Sequence, residues 1–245
     1  SGLTCRGCGA KLLYLAQAEA QKQKALGKGC SLGGFIFAFE MIGTVAFAIS
    51  GSMTAVRKNM DLFGVMILGV ITACGGGLTR DIILGITPPA LFGTPKYVTV
   101  AAATAILVFI PGIRRWLMKS HRGFERILLL MDSIGLGVFT MVGMQAAYGC
   151  GVECSTFLAV SVGVITGVGG GVMRDVMAGD RPYIFVKHIY ACAAILGAML
   201  FAVLRGRCGD TVAILAGAAL VILIRLLSAH FRWSLPRAHE IEENR

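Results

Sequence analysis

Two Arg-Asp pairs, Arg80–Asp81 and Arg174–Asp175, each follow three consecutive glycines at the end of an apolar run. The two stretches, GGGLTRDIILG and GGGVMRDVMAG, share six of eleven residues at a constant offset of 94. Glycine costs roughly 1 kcal/mol relative to alanine inside a helix, so both triplets predict a helix break. Carbonyl oxygens freed at a break can coordinate a cation, and a half-helix N-terminus can hold a carboxylate. The glycines of the two triplets are Gly75, Gly76, Gly77, Gly169, Gly170 and Gly171.

Each Arg-Asp pair has two interpretations from the sequence. In the first, the pair is a charge clamp that fixes the break and sets the electric field in a cavity beside it. In the second, the pair is structural: the aspartate caps the helix that follows, and the arginine caps the helix that precedes. A buried charge is costly unless it is paired, so we expect arginine and aspartate to neutralise each other.

Two carboxylates, Glu40 and Asp132, occupy matching positions 92 residues apart. Each is followed by glycine, phenylalanine and glycine at the same spacing, and each lies in an otherwise apolar run. A lone carboxylate in an apolar span is a functional candidate. Binding of a cation or of an ammonium group is one interpretation, and a structural hydrogen bond to a neighbouring span is the other.

The composition indicates an integral membrane protein. Of 245 residues, 56 % are hydrophobic and only 15 % are charged, against about 25 % charged in soluble domains. The basic residues behind the net charge of +10 lie between the apolar runs, which is typical of membrane-protein loops and not of a nucleic-acid interface. The histidines lack zinc-ligand spacing, and we find no nucleotide-binding motif and no Ser/His/Asp set. We therefore expect no enzyme activity, cofactor, metal site or nucleic-acid partner.

Seven apolar runs approach the length needed to cross about 30 Å of hydrocarbon. They predict an all-α integral membrane protein with seven transmembrane helices, of which spans 2 and 5 are broken at Gly-Gly-Gly. Two three-helix repeats with no span between them must enter the membrane from opposite sides, so the prediction is two inverted repeats plus a seventh helix. The predicted parts are a polar N-terminal tail (1–31), the first repeat (32–113), a basic cytoplasmic link (114–126), the second repeat (127–204), the seventh span (205–228) and a polar C-terminal tail (229–245).

The Lys and Arg distribution predicts the orientation. Fourteen basic residues, Arg174 and Arg225 among them, fall on the side of the central link, and four fall on the other side, apart from the N-terminal tail. The positive-inside rule then places the N-terminus outside and the C-terminus in the cytoplasm. On the outer side Cys150 and Cys154 could form a disulfide, but we favour free thiols.

The doubled glycine motif, the Pro88–Pro89 pair after its first copy and Asp132-x-x-Gly-x-x-x-Phe before its second resemble the bacterial glycine transporter domain membrane proteins. Those proteins are similar in turn to trimeric intracellular cation (TRIC) channels. The resemblance covers about residues 35–204. It implies seven spans, a homotrimer with one pore in each subunit, and kinked second and fifth spans that line the pore. Carried over to this chain, it places the six triplet glycines at the constriction.

Two transport functions follow as hypotheses. The first is a TRIC-like channel that passes monovalent cations such as K⁺, which needs one continuous, weakly binding path. The second is a secondary transporter that takes up glycine by alternating access about the same site. Glycine is a zwitterion, and the Arg-Asp pairs with Glu40 would supply both charges for it. In either case we expect the chain to lie among lipids of a bacterial plasma membrane; a scaffold without transport is the third hypothesis.

Overall fold

The computed structural model describes residues 30–150, 154–186 and 189–231, and every regular element in these ranges is a helix. Numbered in chain order, the helices are α1 (Cys30–Arg57), α2 (Leu62–Ile83), α3 (Ala90–Gly93), α4 (Lys96–Phe109), α5 (Pro111–Met118), α6 (His121–Gly149), α7 (Thr156–Met177), α8 (Tyr183–Val186), α9 (Tyr190–Cys208) and α10 (Asp210–His230). Within those ranges, six helices are long and apolar enough to cross a membrane: α1, α2, α6, α7, α9 and α10. The bent pair α4–α5 makes a seventh span if it is counted as one. The protein is therefore an all-α membrane protein with six or seven spans.

The second span of each repeat begins and ends in the same way. Asp61 caps the start of α2 by accepting from the amide of Gly64, and Ser155, 94 residues on, caps α7. The last glycine of each motif, Gly85 or Gly179, follows the helix with φ near +70°. The amide after each of these glycines donates to the carbonyl of the motif aspartate, at 2.8 and 2.9 Å. This is the Schellman ending, which requires a left-handed residue and therefore favours glycine.

The predicted breaks of spans 2 and 5 at the glycine triplets are wrong. Residues 75–77 lie inside α2 and residues 169–171 lie inside α7, and neither helix is interrupted. The relative energies explain the result. A glycine in a helix costs about 1 kcal/mol, whereas a backbone group left unpaired in hydrocarbon costs several kcal/mol. The helices stay continuous, and the triplets act by removing side-chain bulk.

The one broken span in the described residues is the third. α4 ends at Phe109, α5 begins at Pro111, and the two axes differ by 76°. Proline has no N–H and holds the preceding residue in an extended conformation, which Ile110 adopts here (φ −53°, ψ 130°). The basic residues of the predicted 114–126 link consequently lie on α5, at Lys119 just after it, and on the first two turns of α6.

The glycine triplets bring α2 and α7 into backbone contact. A Cβ added to Gly76 would overlap the carbonyl oxygen of Thr166, and one added to Gly170 would overlap that of Thr72. The 94-residue offset converts one contact into the other. Since Gly76 lies near Thr166 and Gly170 lies near Thr72, α2 and α7 cross in an antiparallel orientation. Small residues permit such close crossings where the surrounding lipid offers no hydrophobic driving force.

The first spans of the two repeats meet in the same reciprocal way. A Cβ on Gly43 would crowd Phe139, and a Cβ on Gly135 would overlap Phe47. The two phenylalanine rings stack with their centroids 5.3 Å apart. Each of these contacts is therefore exchanged with its counterpart under the 92-residue offset.

Opposite charges meet where α1 ends, α6 begins and α7 ends. Arg57 lies 3.1 Å from Glu125 and 3.3 Å from Asp180, and Lys58 also pairs with Asp180. The hydrogen bond from the Lys58 ammonium holds the pKa of the Asp180 carboxyl below its usual range, and Arg57 adds to the effect. These contacts place the ends of three spans on one side of the helix bundle.

This lowered pKa predicts a pH-dependent contribution to stability. A carboxyl whose pKa is lower in the folded state stabilises the protein above its unfolded pKa and loses that effect as the pH falls through the folded value. We expect Asp180→Asn to lower stability by at most about 1 kcal/mol at neutral pH, because the partners are about one-third exposed. The difference in thermal midpoint between the two proteins should shrink as the pH is lowered below about 4. A difference that does not change with pH would contradict the assignment.

Candidate functional site

The first charged cluster joins three spans of the first repeat. Arg80 on α2 contacts Oδ1 of Asp81 through both Nε and Nη2, each at 2.8 Å. Its Nη1 lies 4.0 Å from Oε1 of Glu40 on α1, and the hydroxyl of Tyr97 on α4 donates to the other oxygen of Glu40. The side chains of Arg80 and Glu40 remain 11 % and 18 % exposed.

A cavity of about 70 Å³ lies against this cluster. A buried water needs roughly 10–15 Å³, so the cavity is large enough for several waters or a partly hydrated ion. Its polar lining consists of the cluster residues and Thr44. Every lining residue belongs to the first repeat except Phe139, one of the two stacked phenylalanines.

The second charged cluster is fully buried. Arg174 contacts Asp175 Oδ1 at 2.8 Å in the geometry of the first pair, and its Nη1 lies 2.6 Å from Asp132 Oδ1. The same Nη1 donates to the hydroxyl of Ser50 on α1. The side chains of Arg174 and Asp132 are 1 % and 0 % exposed. The ion pair between Arg80 and Glu40 in the first cluster is therefore long and partly exposed, whereas the corresponding pair in the second cluster is short and buried.

Two further side chains fill the space around the second cluster. Arg225 on α10 places Nη2 3.2 Å from Asp132 Oδ2 and its guanidinium carbon 4.6 Å from the ring centroid of Tyr190 on α9. A Cβ on Gly171 would press on the hydroxyl of Tyr190. Arg225, which the Lys and Arg distribution counts on the side of the central link, is 3 % exposed and lies inside the bundle. Arg174, counted with it, is also buried.

The two clusters differ in formal charge. The first contains Glu40, Asp81 and one arginine, which sum to −1 when both carboxyls are ionised. The second contains Asp132, Asp175 and two arginines, which sum to zero. The cluster with the unbalanced negative charge is the one beside the cavity.

Both motif aspartates also cap a helix. The second oxygen of Asp81 accepts from the amide of Ala90, the first residue of α3, at 2.8 Å. The second oxygen of Asp175 accepts from the amide of Tyr183, the first residue of α8, at 2.8 Å. Pairing with arginine and capping of the following helix therefore occur together in each motif.

The triplet glycines do not share one location. Gly77 lines the cavity, while Gly75 faces Met173 and Gly171 faces Tyr190. Gly76, Gly169 and Gly170 lie in the crossing of α2 and α7. The structure thus brings Glu40 together with Arg80 and Asp81, and Asp132 together with Arg174 and Asp175, on opposite sides of that crossing.

Sequence reasoning missed three contributors to the clusters: Tyr97, Ser50 and Arg225. For Tyr97 a signal existed, since Tyr190 occurs 93 residues later at the start of the corresponding span. Ser50 has no polar counterpart 92 residues on, where Val142 stands. Arg225 lies outside the repeats, so the internal symmetry gives no expectation for it. Among the described cysteines, Cys150 and Cys154 are free thiols.

A family model described as "Glycine transporter" matches residues 37–111 and 129–206, which correspond to the two repeats. Among curated relatives, the inner membrane protein YadS of Escherichia coli K12 is 35 % identical over 212 residues, covering 85 % of this chain and 98 % of that protein.

Solved structures of TRIC channels share the fold. The TRIC trimeric intracellular cation channel orthologue from Rhodobacter sphaeroides superposes with a TM-score of 0.74 at 31 % identity, covering 81 % of this chain and 99 % of that one. A structure reported as the basis for conductance through TRIC cation channels is 36 % identical with a TM-score of 0.70, covering 82 % of this chain and 96 % of that one.

Proposed function

This chain belongs to the glycine transporter family of multi-pass plasma-membrane proteins and has the fold of the TRIC channels, and we propose that it passes monovalent cations such as K⁺ through a pore in each subunit. The observation that carries the proposal is the unbalanced negative charge of the first cluster beside a cavity large enough for several waters or a partly hydrated ion. A cation that enters the cavity meets Glu40 at a point where Arg80 is already neutralised by Asp81.

The geometry favours a cation over the zwitterion glycine. Bidentate binding of a carboxylate uses two N–H groups of one arginine. In the first cluster, Nε and Nη2 of Arg80 both contact Asp81, and only Nη1 is turned towards Glu40. Glu40 could hold the ammonium group of glycine, but Asp81 already occupies the side-on fork of Arg80, formed by Nε and Nη2, and neutralises its charge. Uptake of glycine by alternating access about the same site is the second candidate, which the name of the family favours.

The proposed path runs from the cavity past the crossing of α2 and α7 to the second cluster. Its candidate residues are the triplet glycines Gly75, Gly76, Gly77, Gly169, Gly170 and Gly171, the pairs Arg80–Asp81 and Arg174–Asp175, and the carboxylates Glu40 and Asp132. Phe139 lines the cavity, and Phe47, which stacks on it, lies against Gly170 at the crossing. Because the triplets touch backbone to backbone, conduction requires α2 and α7 to separate at the crossing.

We also propose the finer topology. Reciprocal contacts between antiparallel helices support two inverted repeats that enter the membrane from opposite sides, with α10 added. The side that holds Arg57, Lys58 and the basic residues of α5 would be cytoplasmic, with the N-terminus outside. A homotrimer with one pore in each subunit, within membrane lipid, is supported by the trimeric relative.

Purified protein in K⁺-loaded liposomes tests the proposal. We expect K⁺ flux and unitary currents without saturable uptake of labelled glycine, since the site has one net negative charge and Asp81 already neutralises Arg80. Protein-free liposomes give the baseline for both measurements. Saturable glycine uptake without unitary currents would replace the channel by the carrier, and the absence of both would eliminate both.

A further inference from the structure

The two charged clusters correspond residue by residue, with two additions in the second. The corresponding pairs are Glu40 and Asp132, Gly77 and Gly171, Arg80 and Arg174, Asp81 and Asp175, and Tyr97 and Tyr190. The additions are Ser50, a neutral hydroxyl that accepts from Arg174, and Arg225, which reaches the second cluster from α10, the helix that lies outside both repeats. The difference in formal charge between the two clusters therefore coincides with the guanidinium group of Arg225.

Arg225 makes close but incomplete interactions. Its Nη2 donates to Asp132 Oδ2 at 3.2 Å, and its guanidinium stacks on the ring of Tyr190. Its Nε and the hydroxyl of Tyr190 are buried atoms without a hydrogen-bond partner. In the first cluster the corresponding hydroxyl, that of Tyr97, donates to the carboxylate Glu40. In the second cluster, Asp132 is bound by Arg225 and Arg174 instead.

This arrangement is poorly explained by stability alone. A buried ion pair is close to neutral in stability compared with apolar residues of the same volume. Each buried polar group without a partner adds a cost that an apolar side chain on α10 would avoid. Asp132 already has a partner in Arg174, at 2.6 Å. A second arginine that leaves polar atoms unpaired is better explained by what it excludes from the cluster.

We propose that Arg225 is a tethered cation, which occupies in the second cluster the position that a mobile cation takes beside Glu40 in the first. Its charge cancels the attraction of Asp132 for ions, and its side chain fills the space beside Gly171 and Tyr190. Permeation then requires the contact between Arg225 and Asp132 to open, so α10 controls one end of the path. This inference rests on the proposed cation channel and adds its regulation.

Arg225→Ala, studied in liposomes, tests the proposal. We expect a severalfold rise in K⁺ flux, because the second cluster then has an unbalanced negative charge and free space. Methylguanidinium, which reproduces the deleted group, should reduce the flux of Arg225→Ala towards that of the wild type and leave the wild type unchanged. Arg225→Lys keeps the charge and should retain low flux. In Arg225→Ala/Asp132→Asn the effect of methylguanidinium should disappear.

A second measurement does not depend on flux. Methylguanidinium should raise the thermal midpoint of Arg225→Ala and leave that of the wild type unchanged, since a ligand that binds the folded state stabilises it. If Arg225→Ala fails to fold, Arg225→Met, which removes the charge but keeps most of the side-chain volume, takes its place in the flux measurement, and recovery of folded Arg225→Ala by methylguanidinium takes the place of the midpoint measurement.

Equal flux in the wild type and the variant, or an equal response of both to methylguanidinium, would overturn the role of Arg225. If no protein passes K⁺, the channel proposal fails. The midpoint measurement would then decide separately whether the position of Arg225 is a cation site.

Discussion

Replacing Gly76 and Gly170 together by alanine should prevent the crossing of α2 and α7 and destabilise the protein by about 4 kcal/mol, since overpacking against backbone atoms costs about 3 kcal/mol at each site, the upper end of the usual range, and helix propensity returns about 1 kcal/mol at each. The added methyl groups would overlap the carbonyl oxygens of Thr166 and Thr72. Backbone atoms cannot turn aside as a flexible side chain does. Alanine regains only about 1 kcal/mol of helix propensity at each site, so the clash dominates.

Gly77→Ala is the matched control for this prediction. It lies in the same triplet, but the heavy atom nearest to its added Cβ is Nη2 of Arg80 at 3.9 Å, an ordinary contact. We expect its stability to be unchanged or higher by up to about 1 kcal/mol, from helix propensity. Thermal midpoints and size-exclusion profiles in detergent compare the variants. If Gly76→Ala and Gly77→Ala proved equally stable, the close crossing would not be what the triplet provides.

Glu40→Gln should reduce K⁺ flux by at least about tenfold. The attraction between one unit charge and an ion about 5 Å away is about 3 kcal/mol at an effective dielectric constant near 20. Water around a hydrated ion lowers this value. Glutamine keeps the size of the side chain and can still accept the hydrogen bond from Tyr97, so the change isolates the charge. The first cluster would become neutral, as the second already is.

Glu125→Gln is the control for the charge at Glu40. Glu125 pairs with Arg57 at 3.1 Å on the surface of the bundle, where its side chain is 39 % exposed. Removing this carboxylate should change the flux less than about twofold, since exposed charges are screened by solvent and salt. Flux is measured in liposomes with equal amounts of folded protein. A wild-type rate for Glu40→Gln would exclude the first cluster from the ion path.

The sequence alone determined the class of protein and its internal symmetry. The long apolar runs predicted a membrane protein because hydrocarbon excludes unpaired backbone groups, which leaves continuous helices as the simplest spanning element. The doubled motif predicted corresponding charged clusters, because a pair such as Arg80–Asp81 is made within one helix and needs little tertiary context. The matching places of Glu40 and Asp132 were readable for the same reason.

Only the tertiary structure decided what the glycines do and which cluster stays open. Propensity argued for a break at each triplet, but the cost of unpaired backbone in lipid is larger, and the facing carbonyl of Thr166 shows what Gly76 makes room for. The break fell at Pro111 instead, where no N–H exists to lose. The two clusters have almost the same motif residues, yet only the second also contains Arg225. This residue lies on α10, a helix without a counterpart in the repeats. Such a contact depends on how α10 packs, which no spacing within the repeats encodes.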